Sequence, residues 1–291
     1  MKKRIWFIIN PIAGVRRKDD IPALVRKYLD HHLFNFEIQY TNYKGHAQEL
    51  AKEAISNNVD IVCAVGGDGS VHEIGTHLIG TSVLLAIIPI GSGNGLARHM
   101  KIPLTIKKAI HCINKQHEIK MDTVLVNDQA FLGISGYGFD ALVAKRFVSS
   151  SKRGFLSYVK IVISEFFNYK PIEIVVTANG QIKKSTVILC TLANTSEWGN
   201  GIMVSPKSDA TDGEIELILL KPFSFWRIPV IGLQFLFKRI DKSSFMEVIA
   251  FDKATIEVSD NLAHYDGESM ATNGILNVKV VPKSLHILVG K

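Results

Sequence analysis

Residues 60–95 read DIVCAVGGDGSVHEIGTHLIGTSVLLAIIPIGSGNG, and two apolar runs inside them, Ile61–Val65 and Val83–Ile90, each break into a glycine-dense turn. The first turn is Gly66-Gly67-Asp68-Gly69-Ser70 and the second is Gly91-Ser92-Gly93-Asn94-Gly95. Short continuous apolar runs rich in β-branched residues predict strands buried on both faces, as in a parallel sheet. Between them Val71, Ile74 and Leu78 recur at helical spacing, which predicts a helix over Ser70–Ile79. Strand, helix, strand is a βαβ unit, and its right-handed crossover brings both glycine turns to the carboxyl edge of the sheet. Glycines there let backbone N–H groups approach an anion, and a helix N-terminus adds partial positive charge, a combination suited to phosphate.

The same rhythm extends upstream. Ile5–Ile9 is a predicted strand ending in Asn10-Pro11-Ile12-Ala13-Gly14, with the basic cluster Arg16-Arg17-Lys18 after it. A helix is expected from about Ile21 to His32, with Pro22 tolerated in its first turn. Phe36–Thr41 alternates as a strand, and Gly45-His46-Ala47 opens a helix running to about Asn57. Downstream, Pro103 precedes a helix over about Leu104–Asn114. Repeated β-turn-α segments predict an open, mostly parallel α/β sheet. The opening Met1-Lys-Lys-Arg resembles the start of a secretion leader, but its apolar part stops at Asn10-Pro11, too short for one.

From Ile119 the texture changes to strand-like segments joined by short turns. They are Ile119–Val126, Ala130–Ser135, Ile172–Ala178, Lys184–Leu192, Ile215–Leu220, Lys253–Val258, Ala263–Tyr265, Leu276–Val281 and Leu285–Val289. Asn127-Asp128 and Asn179-Gly180 are hairpin-type turns. Helices are expected over about Phe155–Tyr169 and Phe225–Ile240. The reading is an α/β domain over residues 1–120 and a mostly antiparallel β-sandwich over 121–291, with the last residues able to pack back on the first domain.

With 291 residues, 47% hydrophobic and 21% charged, the chain can bury sizeable cores and is not disordered. A formal net charge of +7 favours anionic partners without choosing among them. Cys63, Cys112 and Cys190 are widely spaced, which points to reduced thiols in a cytosolic protein. No stretch is long and apolar enough to span a bilayer.

GGDGS at 66–70, Asn10-Pro11 upstream, Thr41 and Gly45-His46-Ala47 between, and Pro89-Ile-Gly-Ser-Gly-Asn94 downstream together resemble the diacylglycerol kinase catalytic domain. That superfamily includes bacterial lipid kinases and sphingosine kinases. The resemblance continues through Asp122, Gly136-Tyr-Gly-Phe-Asp140, Pro206 to Asp212-Gly213, and Asp266-Gly267-Glu268, so it covers essentially the whole chain. It implies a nucleotide-binding α/β domain, a β-sandwich, and ATP in the cleft between them. Asn10, Thr41, Gly66, Gly67, Asp68, Gly69, Ser70, Val71, Gly91, Ser92 and Asn94 would line the ATP site. Asp68 would act through Mg²⁺ or its waters. Glu268 would be the base on the acceptor hydroxyl, with Asp266 of the same Asp-Gly-Glu motif and Asp68 as further catalytic candidates. Asp212, with Asp209 and Glu214 as weaker matches, would hold a Mg²⁺ partly through backbone carbonyls. Asp122 either joins a carboxylate set with Asp68 or only ends a strand.

The implied function is an ATP- and Mg²⁺-dependent lipid kinase, cytoplasmic and peripheral to the membrane, without nucleic acid partners and free to form a homodimer. Gly95 stands where bacterial diacylglycerol kinases usually carry an aspartate, which leaves the acceptor lipid open. NAD kinase, which shares GGDG, and a non-catalytic binding protein of the same fold are the alternatives. Three weaker motifs are set aside. His72 and His77 stand roughly 140° apart around a helix and cannot chelate one ion together. Gly136-Tyr-Gly-Phe-Asp-Ala141 fits a dinucleotide pattern but lies in the antiparallel half. Asn194-Thr-Ser is a glycosylation sequon only in a secreted protein. The apolar segment Phe223–Ile240 can lie at a membrane interface, line an acyl pocket, or pack on the sandwich; Phe155–Tyr169 shares the ambiguity.

Overall fold

The computed structural model describes residues 2–12, 20–149 and 155–290; the clusters Arg16-Arg17-Lys18 and Lys152-Arg153 lie outside them. The chain divides into two compact units, Met1–Met121 with Lys283–Lys291, and Asp122–Pro282.

The first unit contains β1 (Lys3–Ile9), α1 (Ile21–Tyr28), β2 (Phe34–Tyr40), α2 (His46–Ser56), β3 (Ile61–Gly66), α3 (Asp68–Leu78), β4 (Leu84–Pro89), α4 (Gly95–His99) and α5 (Ile106–Lys115). Its strands run in the order β2-β1-β3-β4, all parallel, with Ile287 of the returning chain beside Leu85 of β4. Every residue of β3 and β4 is buried, as a sheet covered on both faces demands. The chain turns back on itself between β1 and β3, and in open α/β sheets the ligand crevice lies at such a switch point.

Local chemistry moves some boundaries. Helix α1 stops at Tyr28 because Leu29 turns extended, and Asp30 accepts the His32 amide to steer the chain into β2. Helix α3 starts at Asp68, two residues before the predicted Ser70, on an extended Gly67 cap. The five-residue α4 was not predicted.

In the second unit, which β5 (Glu118–Val126) enters, follow β6 (Gln129–Phe131), β7 (Ile134–Gly138), α6 (Phe139–Ser149), α7 (Phe155–Phe166), β8 (Ile172–Ala178), β9 (Gln181–Val187) and β10 (Leu189–Ala193). Then come β11 (Glu197–Gly199), β12 (Ile202–Met203), β13 (Ile215–Leu220), α8 (Ile228–Leu236), β14 (Met246–Phe251), β15 (Lys253–Val258), β16 (Leu262–Tyr265), β17 (Glu268–Ala271) and β18 (Ile275–Leu288). One antiparallel sheet runs β14-β13-β10-β7-β16-β17; the other pairs β9, β8, β15 and β18 in turn. Val176, Ile256 and Leu276 of one sheet share a core with Tyr137, Leu192 and Leu217 of the other. This is the expected sandwich.

Two expected strands are each split. Ala130–Ser135 divides into β6 and β7, and Lys184–Leu192 divides at Ile188, where the chain passes from one sheet to the other. Phe225–Ile240 is a 3₁₀ turn, Phe225–Arg227, leading into α8, and α6 is a helix where none was expected. Leu276–Val281 and Leu285–Val289 merge into the single run β18.

Candidate active site

In the first unit the ends of β1, β3 and β4 bring the two glycine turns together. Ile90 N–H donates to the Gly66 carbonyl at 2.9 Å, which carries the β3–β4 pairing one step past the strands. A Cβ on Gly91 would stand 2.5 Å from the Gly67 Cα, so the turns touch backbone to backbone and leave room for no side chain. Asp68 locks them: its carboxylate accepts the Asn94 amide at 2.8 Å and the Gly95 amide at 2.7 Å. Asn94 is buried in the left-handed region, and its Nδ2 donates to the Gly91 carbonyl at 2.8 Å. Its Oδ1 has no partner. Asn10 Nδ2 donates to Ser70 Oγ at 3.2 Å, which ties the end of β1 to the first turn of α3. Thr41 is buried, its amide on the Ile9 carbonyl; Val71 donates to Gly67, and Gly69 and Ser92 are partly exposed.

In the second unit Asp266 and Gly267 form a two-residue hairpin turn between β16 and β17, and Glu268 follows it directly. Asp266 (φ 49°) and Gly267 (φ 88°) are both left-handed, the conformation of a type I′ turn, and Asp-Gly is the sequence that accepts it. The Asp266 carboxylate accepts three amides, Leu132 at 2.9 Å, Gly133 at 2.7 Å and Ile134 at 3.1 Å. That capture splits the expected Ala130–Ser135 strand, because residues 132–134 turn their N–H groups to a carboxylate rather than to a ladder. Asp266 therefore anchors the turn, and the half-exposed Glu268 begins the edge strand β17 opposite Tyr265.

Behind the turn lies a buried polar cluster. His264 Nδ1 accepts the Gly267 amide at 3.3 Å, and its Nε2 lies 3.2 Å from Asp140 Oδ2. The same Asp140 oxygen accepts Thr191 Oγ1 at 2.8 Å and Trp198 Nε1 at 3.2 Å. Gly136 makes the space: a Cβ there would stand 2.1 Å from Asp140 Oδ2 and 2.4 Å from His264 Nε2. Burial pushes the nearby Cys190 thiol up to about 12, and the Asp140 charge adds to the shift.

The third group is the exposed turn at 209–214. Asp209 accepts the Thr211 amide and hydroxyl, and Asp212 accepts the Glu214 amide at 3.0 Å. The fully buried Asp122 accepts the Gly213 amide at 2.7 Å and so pins this turn. Asp122 belongs to the second unit and Asp68 to the first. Among the described residues no group of three His, Cys, Asp or Glu side chains could hold a metal ion. The turn offers instead three exposed carboxylates, Asp209, Asp212 and Glu214, hard oxygen donors that suit an ion keeping several of its waters.

Two known sequence families span these groups. The profile described as the diacylglycerol kinase catalytic domain matches residues 4–126, and the YegS C-terminal NAD kinase beta sandwich-like domain matches residues 133–289. The chain belongs to the diacylglycerol kinase and YegS-like family. Within that family it is 27% identical over 240 residues to the diacylglycerol kinase of Bacillus subtilis (strain 168), covering 80% of this chain and 79% of that one. It is 25% identical over 234 residues to the diacylglycerol kinase of Staphylococcus aureus (strain MRSA252), covering 76% and 71%. A crystal structure of a diacylglycerol kinase from Bacillus anthracis superposes over 99% of this chain and 97% of its own, with a TM-score of 0.74 at 21% identity. At that identity the likeness bears on the fold.

Sequence reasoning quoted Asp140 but missed its partners His264, Thr191 and Trp198. The signal was thin: a histidine two residues before Asp266 on an alternating strand. Asn194 of the sequon is buried, its Nδ2 donating to the Asp122 and Leu132 carbonyls, so it is no surface acceptor. His77 Nδ1 bonds the Glu73 carbonyl within α3, as an ordinary helical histidine does.

Proposed function

We propose that this member of a lipid kinase family transfers the γ-phosphate of ATP to a lipid hydroxyl, with Mg²⁺ as the accompanying ion. The observation that carries the reading is the pair of glycine turns at the carboxyl ends of β3 and β4, fixed against each other by Asp68. Gly66, Gly67, Gly69, Ser70 and Val71, with Gly91 and Ser92, would supply backbone amides to the phosphates. Asn10 and Thr41 would border the nucleotide, and Asn94 would fix the second turn. Glu268 would take the proton of the acceptor hydroxyl as its oxygen attacks the γ-phosphorus and the bond to the ADP oxygen breaks. Asp266 acts through the hairpin, as a positioning residue rather than a second base. Mg²⁺ when bound neutralises phosphate charge; Asp68 would act on the ion through its waters, and Asp212 with neighbouring carbonyls would hold a further ion, with Asp209 and Glu214 contributing field. The acceptor is a hydroxyl-bearing lipid of the diacylglycerol or sphingoid class, and the protein would work as a peripheral, cytoplasmic enzyme.

The test is labelled-phosphate transfer from ATP with Mg²⁺ across diacylglycerol, monoacylglycerol, ceramide, sphingosine, phosphatidylglycerol and NAD. Transfer to a lipid that stops on chelation of the metal is the expected result. Transfer to NAD alone, or to none of them by folded protein, would refute the reading.

A further inference from the structure

We propose that the exposed apolar face of residues 225–239 is the surface by which this protein docks on an anionic phospholipid bilayer. The inference deepens the lipid kinase reading by naming the partner surface. The segment 225–240 is held to the sandwich by few side chains: Ile231 of α8 and Ile240 beyond it are buried in the core, and the Phe235 ring lies 5.4 Å from Trp198. The rest of its apolar side chains face outward. Trp226 is 77% exposed and Phe237 66%, with Phe225, Val230, Leu233 and Leu236 each about half exposed. A helix packed on a core normally turns a polar face to water, yet between Phe225 and Phe237 the polar side chains are Arg227 and Gln234 alone. Such a contiguous apolar patch marks a binding surface.

The charge around the patch names the occupant. No Asp or Glu occurs from Leu217 to Ile240, while Lys221, Arg227, Lys238 and Arg239 do. Lys221 pairs with Glu247 at 3.2 Å and Arg227 lies over the Phe245 ring at 5.7 Å. Lys238 and Arg239 are exposed directly after Phe237. Apolar side chains with tryptophan, bordered by cations, match the acyl boundary and the phosphate headgroups of an anionic leaflet. A second copy of the chain fits worse, because a two-fold contact would set these cations against their own images.

Sedimentation of the full chain with vesicles of phosphatidylcholine, with and without phosphatidylglycerol, tests the proposal. Binding at least tenfold stronger to the phosphatidylglycerol vesicles is expected, since each basic side chain near an anionic surface contributes severalfold in affinity. Tryptophan emission should shift to the blue on those vesicles in the wild type and not in Trp226→Phe. Leu233→Glu/Phe237→Glu should bind at least tenfold more weakly with an unchanged melting curve, since both positions are exposed. Lys238→Gln/Arg239→Gln should lose the preference for phosphatidylglycerol. Turnover of a short-chain, water-soluble acceptor should be unaffected by Leu233→Glu/Phe237→Glu. Equal binding by that variant, or no sedimentation of the wild type, would overturn the docking surface. So would wild-type self-association abolished by the variant without vesicle binding, which would assign the face to a second copy. Vesicle binding without phosphorylation of any lipid would leave the docking surface standing and remove the kinase reading.

Discussion

Asp68 in the first unit and Asp266 in the second do the same physical work, each turning a carboxylate onto the backbone amides of a neighbouring loop. Asp68 accepts two amides, and Asp266 accepts three. The partners of Asp68 lie 26 and 27 residues away, inside one βαβ unit, whereas those of Asp266 lie more than 130 residues away. One device thus builds a local phosphate-loop candidate in a parallel sheet and a long-range hairpin anchor in a sandwich. The comparison teaches that a conspicuous acidic residue in a glycine turn can serve by fixing loops before it serves any chemistry.

One close-packed glycine from each unit, Gly91 beside the Asp68 turns and Gly136 in the polar cluster behind the Asp266 hairpin, should separate most clearly. Gly136→Ala drives a methyl into the buried Asp140–His264 contact, and Gly91→Ala drives one into the Gly67 backbone. Overpacking of this kind costs about 1–3 kcal/mol, and more where nothing can move. Gly136→Ala is expected to be the more destabilising of the two by urea denaturation, because it also disturbs a buried polar cluster. Similar midpoints would mean that the cluster repacks freely.

Removing the anchors themselves acts on a comparable scale. An orphaned buried donor costs about 1–3 kcal/mol, so Asp266→Ala, which strips three amides, should destabilise more than Asp68→Ala, which strips two. Hydrogen exchange should accelerate at Leu132–Ile134 in one variant and at Asn94–Gly95 in the other. Protection unchanged at those amides would break the comparison.

The smallest effect is a pH dependence in the first unit. Burial holds the His77 pKa below its ordinary 6.5. Above 6.5 both folded and unfolded chains leave it neutral. As the pH falls through 6.5 the unfolded chain takes the proton first, so stability drains until the pH passes the folded value. His77→Gln should flatten the stability profile in that window, read from urea midpoints between neutral and mildly acid pH.

Much of the first unit was legible because parallel strands carry long apolar runs and glycine turns mark their ends. Ile61–Val65, Val83–Ile90 and both turns could be placed without structure. The five-residue α4 could not, since Asp68 caps it from another turn. In the second unit the strand splits at Ile188 and at residues 132–134 are decided by which sheet, or which carboxylate, claims the backbone. Neither choice has a period. Helix α6 hid behind the glycines of Gly136-Tyr-Gly-Phe: Gly136 admits the Asp140–His264 contact, and Gly138, left-handed at φ 72°, lies against Tyr169 and Ile172.

The central claim is that Glu268, presented by the anchored hairpin, is the base on a lipid hydroxyl. The most direct measurement is phosphoryl transfer from ATP to the preferred lipid by wild type and Glu268→Gln, with the melting curve of each recorded alongside. Turnover of Glu268→Gln is expected to fall by about 10²–10⁴, the range for loss of a general base, with the fold intact. Wild-type turnover in a folded Glu268→Gln protein would contradict it.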